Sequence, residues 1–273
     1  MSVEREYYVG KQDEAIAAYD ALIAGFEDAS EPALREQVAG ALFNKSITLG
    51  QLDRAEEAIA VYDALIARFE DTSELALREH VAKALVNKGF TLGQLNRSEE
   101  AITVYDALIA RFEDASEPAL REQVAKALFN KGFRLGQLNR TEEALAVYDA
   151  LIARHEDASE PALREQVAKA LNTKGITLGQ LNRSGEEIAV YDALIARFND
   201  ANEPALLDQV AGALNNKGIT LGQLNRPEEA ITVFDALIAR FEDANEPALR
   251  EQVAKALTNK RITLGRSNAR KGR

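Results

Sequence analysis

The chain has 273 residues, 46% of them apolar and 28% charged, with a net charge of −11. That balance supports a helical core and excludes the basic stripe of a phosphate-backbone binder, so no nucleic-acid partner is expected. The absence of cysteine excludes a disulfide framework and a thiolate metal site.

No run approaches the ~18 to 20 apolar residues of a membrane span, and the start, MSVEREYYVGKQDEAI, lacks the apolar stretch of a signal peptide. A cytoplasmic protein with no membrane partner is expected. Leu-Gly recurs at Leu49, Leu92, Leu135, Leu178, Leu221 and Leu264, a constant period of 43 residues, and the units beginning at Leu92 and Leu135 share 35 identities in 43. Such self-similarity marks a repeat array in which each unit packs on its neighbours.

In chain order, residues 1–48 read as an N-terminal partial repeat of a single array over 1–273. Met1 to Val9 would be a stub of a first helix ended by Gly10, and Tyr19 and Leu22 on the next helix would be incompletely covered. Residues 49–263 are five repeats. In the unit from Glu117 to Arg154, Ser116 and Pro118 predict the N-cap and first turn of a helix A. Leu120, Val124, Leu128, Leu135 and Leu138 make its apolar stripe.

Asn139 follows as a residue that tolerates the left-handed conformation ending a helix. Ala144, Leu145, Val147, Tyr148, Leu151 and Ile152 then form the apolar face of a helix B, with Glu142 and Glu143 at the positive end of its dipole. Pro227, aligned with Thr141, fits only a first helical turn. The short loop EDAS forces antiparallel neighbours. Residues 264–273 form a basic tail carrying Arg266, Arg270, Lys271 and Arg273.

Four copies of helix A carry two glycines four residues apart, Gly89 and Gly93, Gly132 and Gly136, Gly175 and Gly179, and Gly218 and Gly222. A helical glycine costs about 0.8 to 1 kcal/mol relative to alanine, so the pair predicts close approach by a bulky side chain of a facing helix. In NRSGEEIAVYD, Glu187 replaces the small residue Ala144 of the neighbouring copy, and a carboxylate there is expected to turn to the rim or distort its helix.

The unit resembles the tetratricopeptide repeat. Gly132 is followed three residues later by a large residue, Leu135, then by the small helix-B residue Ala144 and the aromatic Tyr148, with the wordings NKG and NR-EEA. The period is nine residues longer than the family's 34; the extra residues fall between Phe112 and Ala125. The resemblance implies an all-α, right-handed superhelical solenoid of antiparallel helix hairpins, with helix A lining a concave face. Positions on that face are Lys126, Phe129, Asn130, Phe133, Gly136 and Gln137, and in other copies Phe43, Asn44, Asn87, Phe90 and Asn216. Two series vary there: Phe43, Val86, Phe129, Asn172, Asn215, Thr258, and Ile47, Phe90, Phe133, Ile176, Ile219, Ile262. An asparagine row could bond an extended peptide backbone while the phenylalanines offer apolar pockets; the same side chains could equally pack between repeats or face water. The glutamines Gln94, Gln137, Gln180 and Gln223 stand where members that hold a terminal carboxylate have a basic residue.

No catalytic constellation, metal site or cofactor site is expected. His80 and His155 are isolated departures from Gln and Phe, and the tyrosine series ends in Phe234. The expected function is a scaffold binding a protein or peptide partner on the helix-A face, with no enzymatic activity. The alternative is a self-associating structural module, a weak homodimer through a terminal helix.

Overall fold

The computed structural model describes the backbone of residues 3–271 and the side chains of residues 9–269. The described residues form twelve helices and no strand. The B helices are α1 (Val3–Gly25), α3 (Ala55–Phe69), α5 (Ser98–Phe112), α7 (Thr141–Arg154), α9 (Ser184–Arg197) and α11 (Pro227–Phe241). The A helices are α2 (Pro32–Gln51), α4 (Leu75–Gln94), α6 (Pro118–Gln137), α8 (Pro161–Gln180), α10 (Pro204–Gln223) and α12 (Pro247–Lys271).

The chain forms two compact units, Met1–Arg140 with α1 to α6 and Thr141–Arg273 with α7 to α12. In the first, α2 packs on α4 and α4 on α6, and the B helices α3 and α5 pack on the A helices that flank them. The second repeats the scheme with α8, α10 and α12 as its A layer.

Helix A begins where predicted but with a different cap. Proline at the first helical position disfavours helical dihedrals for the residue before it, so Glu117 is the extended N-cap (ψ 126°) and Ser116 lies outside the helix. Each A/B turn is closed by a residue in the left-handed region: Asp53, Asn96, Asn139, Asn182 and Asn225 have φ of 58 to 61°. There the N–H of Arg97 donates to Leu92 O at 2.9 Å, and Arg54, Arg140, Arg183 and Arg226 make the same bond in their turns.

Gly10 is the exception. It lies inside the continuous helix α1 and does not end a helix. Nine residues could bury too little to offset breaking the helical ladder, so the chain runs straight. At the other end α12 continues to Lys271, so residues 264–271 extend the helix; the side chains of Arg270, Lys271 and Arg273 lie outside the described residues.

Leu120, Val124, Leu128 and Leu135 are buried, as are Ala144, Leu145, Tyr148 and Leu151. Tyr19 and Leu22 are half-buried. The first glycine of each pair explains itself: a Cβ on Gly89 would lie 2.5 Å from the Tyr105 ring, and one on Gly218 equally close to Phe234. The second behaves differently, since nothing lies within 4 Å of a Cβ on Gly136, whereas Gly93 is covered by Arg134 and Gly179 by Glu187.

Ionic rungs tie successive repeats. Lys45, Lys88, Lys131, Lys174, Lys217 and Lys260 pair with aspartates 25 residues earlier on helix B. Arg97 and Arg183 each grip a glutamate in their own helix B start and reach another 41 residues back, Glu56 and Glu142. Arg226 bonds only its own Glu229, because the residue 41 back is Gly185. Gly185→Glu is therefore expected to raise stability by about 1 kcal/mol, chiefly through helix propensity and secondarily through the restored surface rung. A urea midpoint that does not rise would refute this account.

Candidate functional site

The face of the A helices turned away from the B helices carries one large exposed apolar side chain per repeat. Phe90 and Phe133 are 48% and 44% exposed, and Ile176, Ile219 and Ile262 lie between 39% and 45%; Ile47 is half-buried. Each follows directly on the glycine or equivalent that faces helix B, so its side chain is rotated about 100° away from the hairpin interface.

The second variable series turns sideways, toward the next A helix. The Phe43 ring lies 6.3 Å from those of Tyr62 and His80, Val86 is buried, and Phe129 is half-buried. Asn172 donates to Gln209 Oε1 at 3.0 Å, and buried Asn215 donates to the main-chain oxygen and Oε1 of Gln252. This row joins repeats, and Phe43 and Phe129 offer edges of the surface rather than open pockets.

The asparagine row divides too. Asn44 is exposed. Asn87 hydrogen-bonds Tyr62, opposing the burial that pushes that phenol above its ordinary range, and Asn216 does the same for Tyr191. Burial pushes Tyr105 up to about 12, against the nearby Arg134 charge. Asn130 and Arg134 face its hydroxyl without a well-formed bond, which leaves Tyr105 Oη a buried group with no partner. Lys126 is paired with Glu122 one turn away at 2.6 Å. Gln137 is exposed and accepts from Arg134 Nη1 at 2.8 Å.

Two charged groups stand in the walls, Arg134, which the sequence did not single out as a site residue, and Glu187, which it placed at the rim or in a distorted helix. Arg134 is 8% exposed where the other copies have Thr48, Thr91, Thr177, Thr220 and Thr263. Glu187 is 7% exposed, packed in an undistorted α9 beside Gly179 and Thr220, and so is not turned to the rim. Glycine at 179 and the small threonine at 220 leave the room that the sequence expectation denied it. The one signal available for Arg134 was its departure from threonine.

In the second unit the A-face row borders a hollow of about 710 Å3 between α10 and α12, floored by Phe234 and lined by Ile219, Gln223, Asn259, Ile262 and Arg266. Among the described residues no cluster of His, Cys, Asp or Glu could hold a metal, and no helix is long and apolar enough to cross a membrane. The surface offers apolar anchors and amide groups, which suits recognition of an extended chain.

Residues 82–114 match the family described as tetratricopeptide repeat. No curated protein matches the sequence. Among solved structures, BtubC (BKLC) from P. vanneervenii is similar at a TM-score of 0.67 and 13% identity, over 90% of this chain and 94% of its own. The apo form of RapI is similar at a TM-score of 0.60 and 12% identity, over 99% of this chain and 96% of its own. At such identities the likeness concerns the fold alone.

Proposed function

We propose that this chain, which belongs to the tetratricopeptide repeat family, is a non-enzymatic scaffold that binds an extended segment of a partner protein on the exposed face of its A helices. The observation that carries the reading is the apolar row at one residue per repeat, Phe90 and Phe133 in the first unit and Ile176, Ile219 and Ile262 in the second. Regularly spaced large side chains held on rigid helices bind with little ordering cost. Asn44 and Gln137, exposed in the first unit, supply amide groups beside the row for the backbone of the bound segment, while Asn87, Asn130 and Asn216 are turned toward the helix-B tyrosines.

Phe90 and Phe133 contribute little to the core because nearly half of each faces solvent. Phe90→Ala and Phe133→Ala are therefore expected to leave the thermal midpoint within the range of neutral surface changes, about 0.5 kcal/mol. Each is expected to weaken a peptide selected on the wild-type protein from a random display library by about tenfold, the effect of losing one anchor. Glu142→Ala, at a helix-B start, serves as the control. Equal losses in all three variants would remove the groove. Failure to select any peptide, with sedimentation mass rising with concentration, would favour the self-associating alternative, for which Leu257, at 53% exposure on α12, offers an apolar contact.

A further inference from the structure

An arginine near the start of helix A ties each of several repeats to the next. Arg35, Arg78 and Arg164 pair with Glu74, Glu117 and Glu203, the N-cap glutamates of the following A helices, the second pair at 3.0 Å. Each of these guanidiniums also lies 5.8 Å from the ring centre of a phenylalanine at the end of the intervening helix B, Phe69, Phe112 or Phe198. A second arginine, Arg68, Arg111 or Arg197, lies over the same ring at 5.2 to 5.5 Å. The rung is thus a guanidinium held against a ring and a carboxylate, with a second guanidinium tolerated beside it.

One rung in the second unit lacks its arginine. Helix α10 begins PALLDQ where α8 begins PALREQ, so Leu207 stands at the place of Arg164. A leucine side chain ends where an arginine stem reaches Cδ, so the place of the guanidinium itself is left open. Among the described residues Phe241 keeps one guanidinium over its ring, that of Arg240 at 5.1 Å. Glu246, the carboxylate in register to receive the pair, is exposed and joins no ion pair among the described residues, whereas Glu74, Glu117 and Glu203 are half-buried under theirs. A hollow of about 640 Å3 opens at this point, bounded by Leu207, Phe241, Glu246, Asp243, Asp200 and Asn202.

We infer that this hollow is a seat for an arginine side chain of a partner protein, whose guanidinium lies against the Phe241 ring and bonds the Glu246 carboxylate. The chain itself shows the match, because three of its copies place their own arginine between these two kinds of group. Arg240 does not bar the newcomer, since Arg164 and Arg197 share the Phe198 ring in the same manner. The carboxylates of Asp200 and Asp243 on the rim, on a chain of net charge −11, favour a cation over an anion there. Ile219 of the apolar row lies twelve residues further along α10, about 18 Å at 1.5 Å per residue, so the seat belongs to a different surface from the proposed groove. Either can stand without the other.

The test is a subtractive selection. A random peptide display library is first depleted on Leu207→Arg, which fills the seat with the residue the other A helices carry and leaves the A-face row intact, and the remainder is then selected on the wild type. Peptides that survive are expected to hold arginine at one fixed position. For one such synthetic peptide, Glu246→Gln is expected to weaken binding about tenfold or more, and citrulline in place of the arginine to do the same. Lysine at that position, which lacks the planar fork, is expected to restore only part of the loss, and Phe133→Ala to change nothing. Survivors without arginine, a citrulline peptide that binds as well as its parent, or no survivors at all would overturn the seat and leave the groove untouched. A wild-type sedimentation mass that rises with concentration, with Leu207→Arg staying monomeric, would give the seat to a second copy of this chain and overturn the partner assignment.

Discussion

Leucine in place of Gly218 is expected to lower the stability of the second unit by about 2 kcal/mol or more. Even the first added carbon would lie 2.5 Å from Phe234 Cε1 and 2.6 Å from Cζ, well inside contact distance, and the ring is fully buried with Ala230 and Leu237 on its own helix. Overpacking of this kind costs about 1 to 3 kcal/mol, occasionally more, and the better helix propensity of leucine recovers less than about 1 kcal/mol. Phe234→Ala alone empties a core site and is expected to cost about 3 to 5 kcal/mol. Combined, the two substitutions should be far from additive, because the new leucine occupies the space the ring has left. Urea midpoints of the single and double variants, with Gly50→Ala as a control in open space, measure this. Additive losses, or a Gly218→Leu protein as stable as the parent, would show that the glycine is not there to receive the ring.

The period of 43, both helices of the hairpin and the asparagine turn were legible in the sequence, because each depends on local rules that the copies repeat: apolar spacing, proline at a first turn, a residue that accepts positive φ. The glycine pair was legible only by half. Spacing places Gly89 and Gly93 on one face, but only packing decides that Gly89 receives Tyr105 from its own hairpin while Gly93 lies under a side chain from the following A helix. The candidate surface divided in the same way. Phe90 and Phe133 stand open, whereas Phe43, one turn before Ile47, turns into the contact between repeats, a distinction that depends on how one A helix is rotated against the next. Gly10 misled because a residue type that ends a helix does so only where the following chain gains by turning back.

Replacing Glu187 by alanine is expected to raise stability at neutral pH, and by less in mild acid. The carboxyl sits where Ala58, Ala101, Ala144 and Ala230 are found, all essentially fully buried, and no cation pairs with it among the described residues. Burial pushes its pKa above the ordinary value, with the Thr220 and Tyr191 hydroxyls opposing. Thr220 Oγ1 lies 2.7 Å from Glu187 Oε1 and 3.0 Å from Asn216 O, yet a hydroxyl has one proton to give. The carboxylate and Asn216 O compete for that one proton, so the Thr220 hydroxyl offsets only part of the cost of burying Glu187. The sign of the pH effect follows. With a folded pKa above the unfolded value near 4.5, the folded state holds the proton more tightly, so this residue is least harmful below that value. Stability is then lost as pH rises through the folded pKa. Glu187→Ala is thus expected to gain about 1 to 3 kcal/mol at pH 7.5, the scale of an unpaired buried polar group, with the gain shrinking toward pH 4.5. Glu187→Gln, which mimics the protonated shape, is expected to flatten the same pH dependence. Urea midpoints of the three proteins at the two pH values measure it. A difference between parent and alanine variant that is the same at both, or a parent more stable at pH 7.5, would mean that the carboxylate is held charged at no cost by its surroundings.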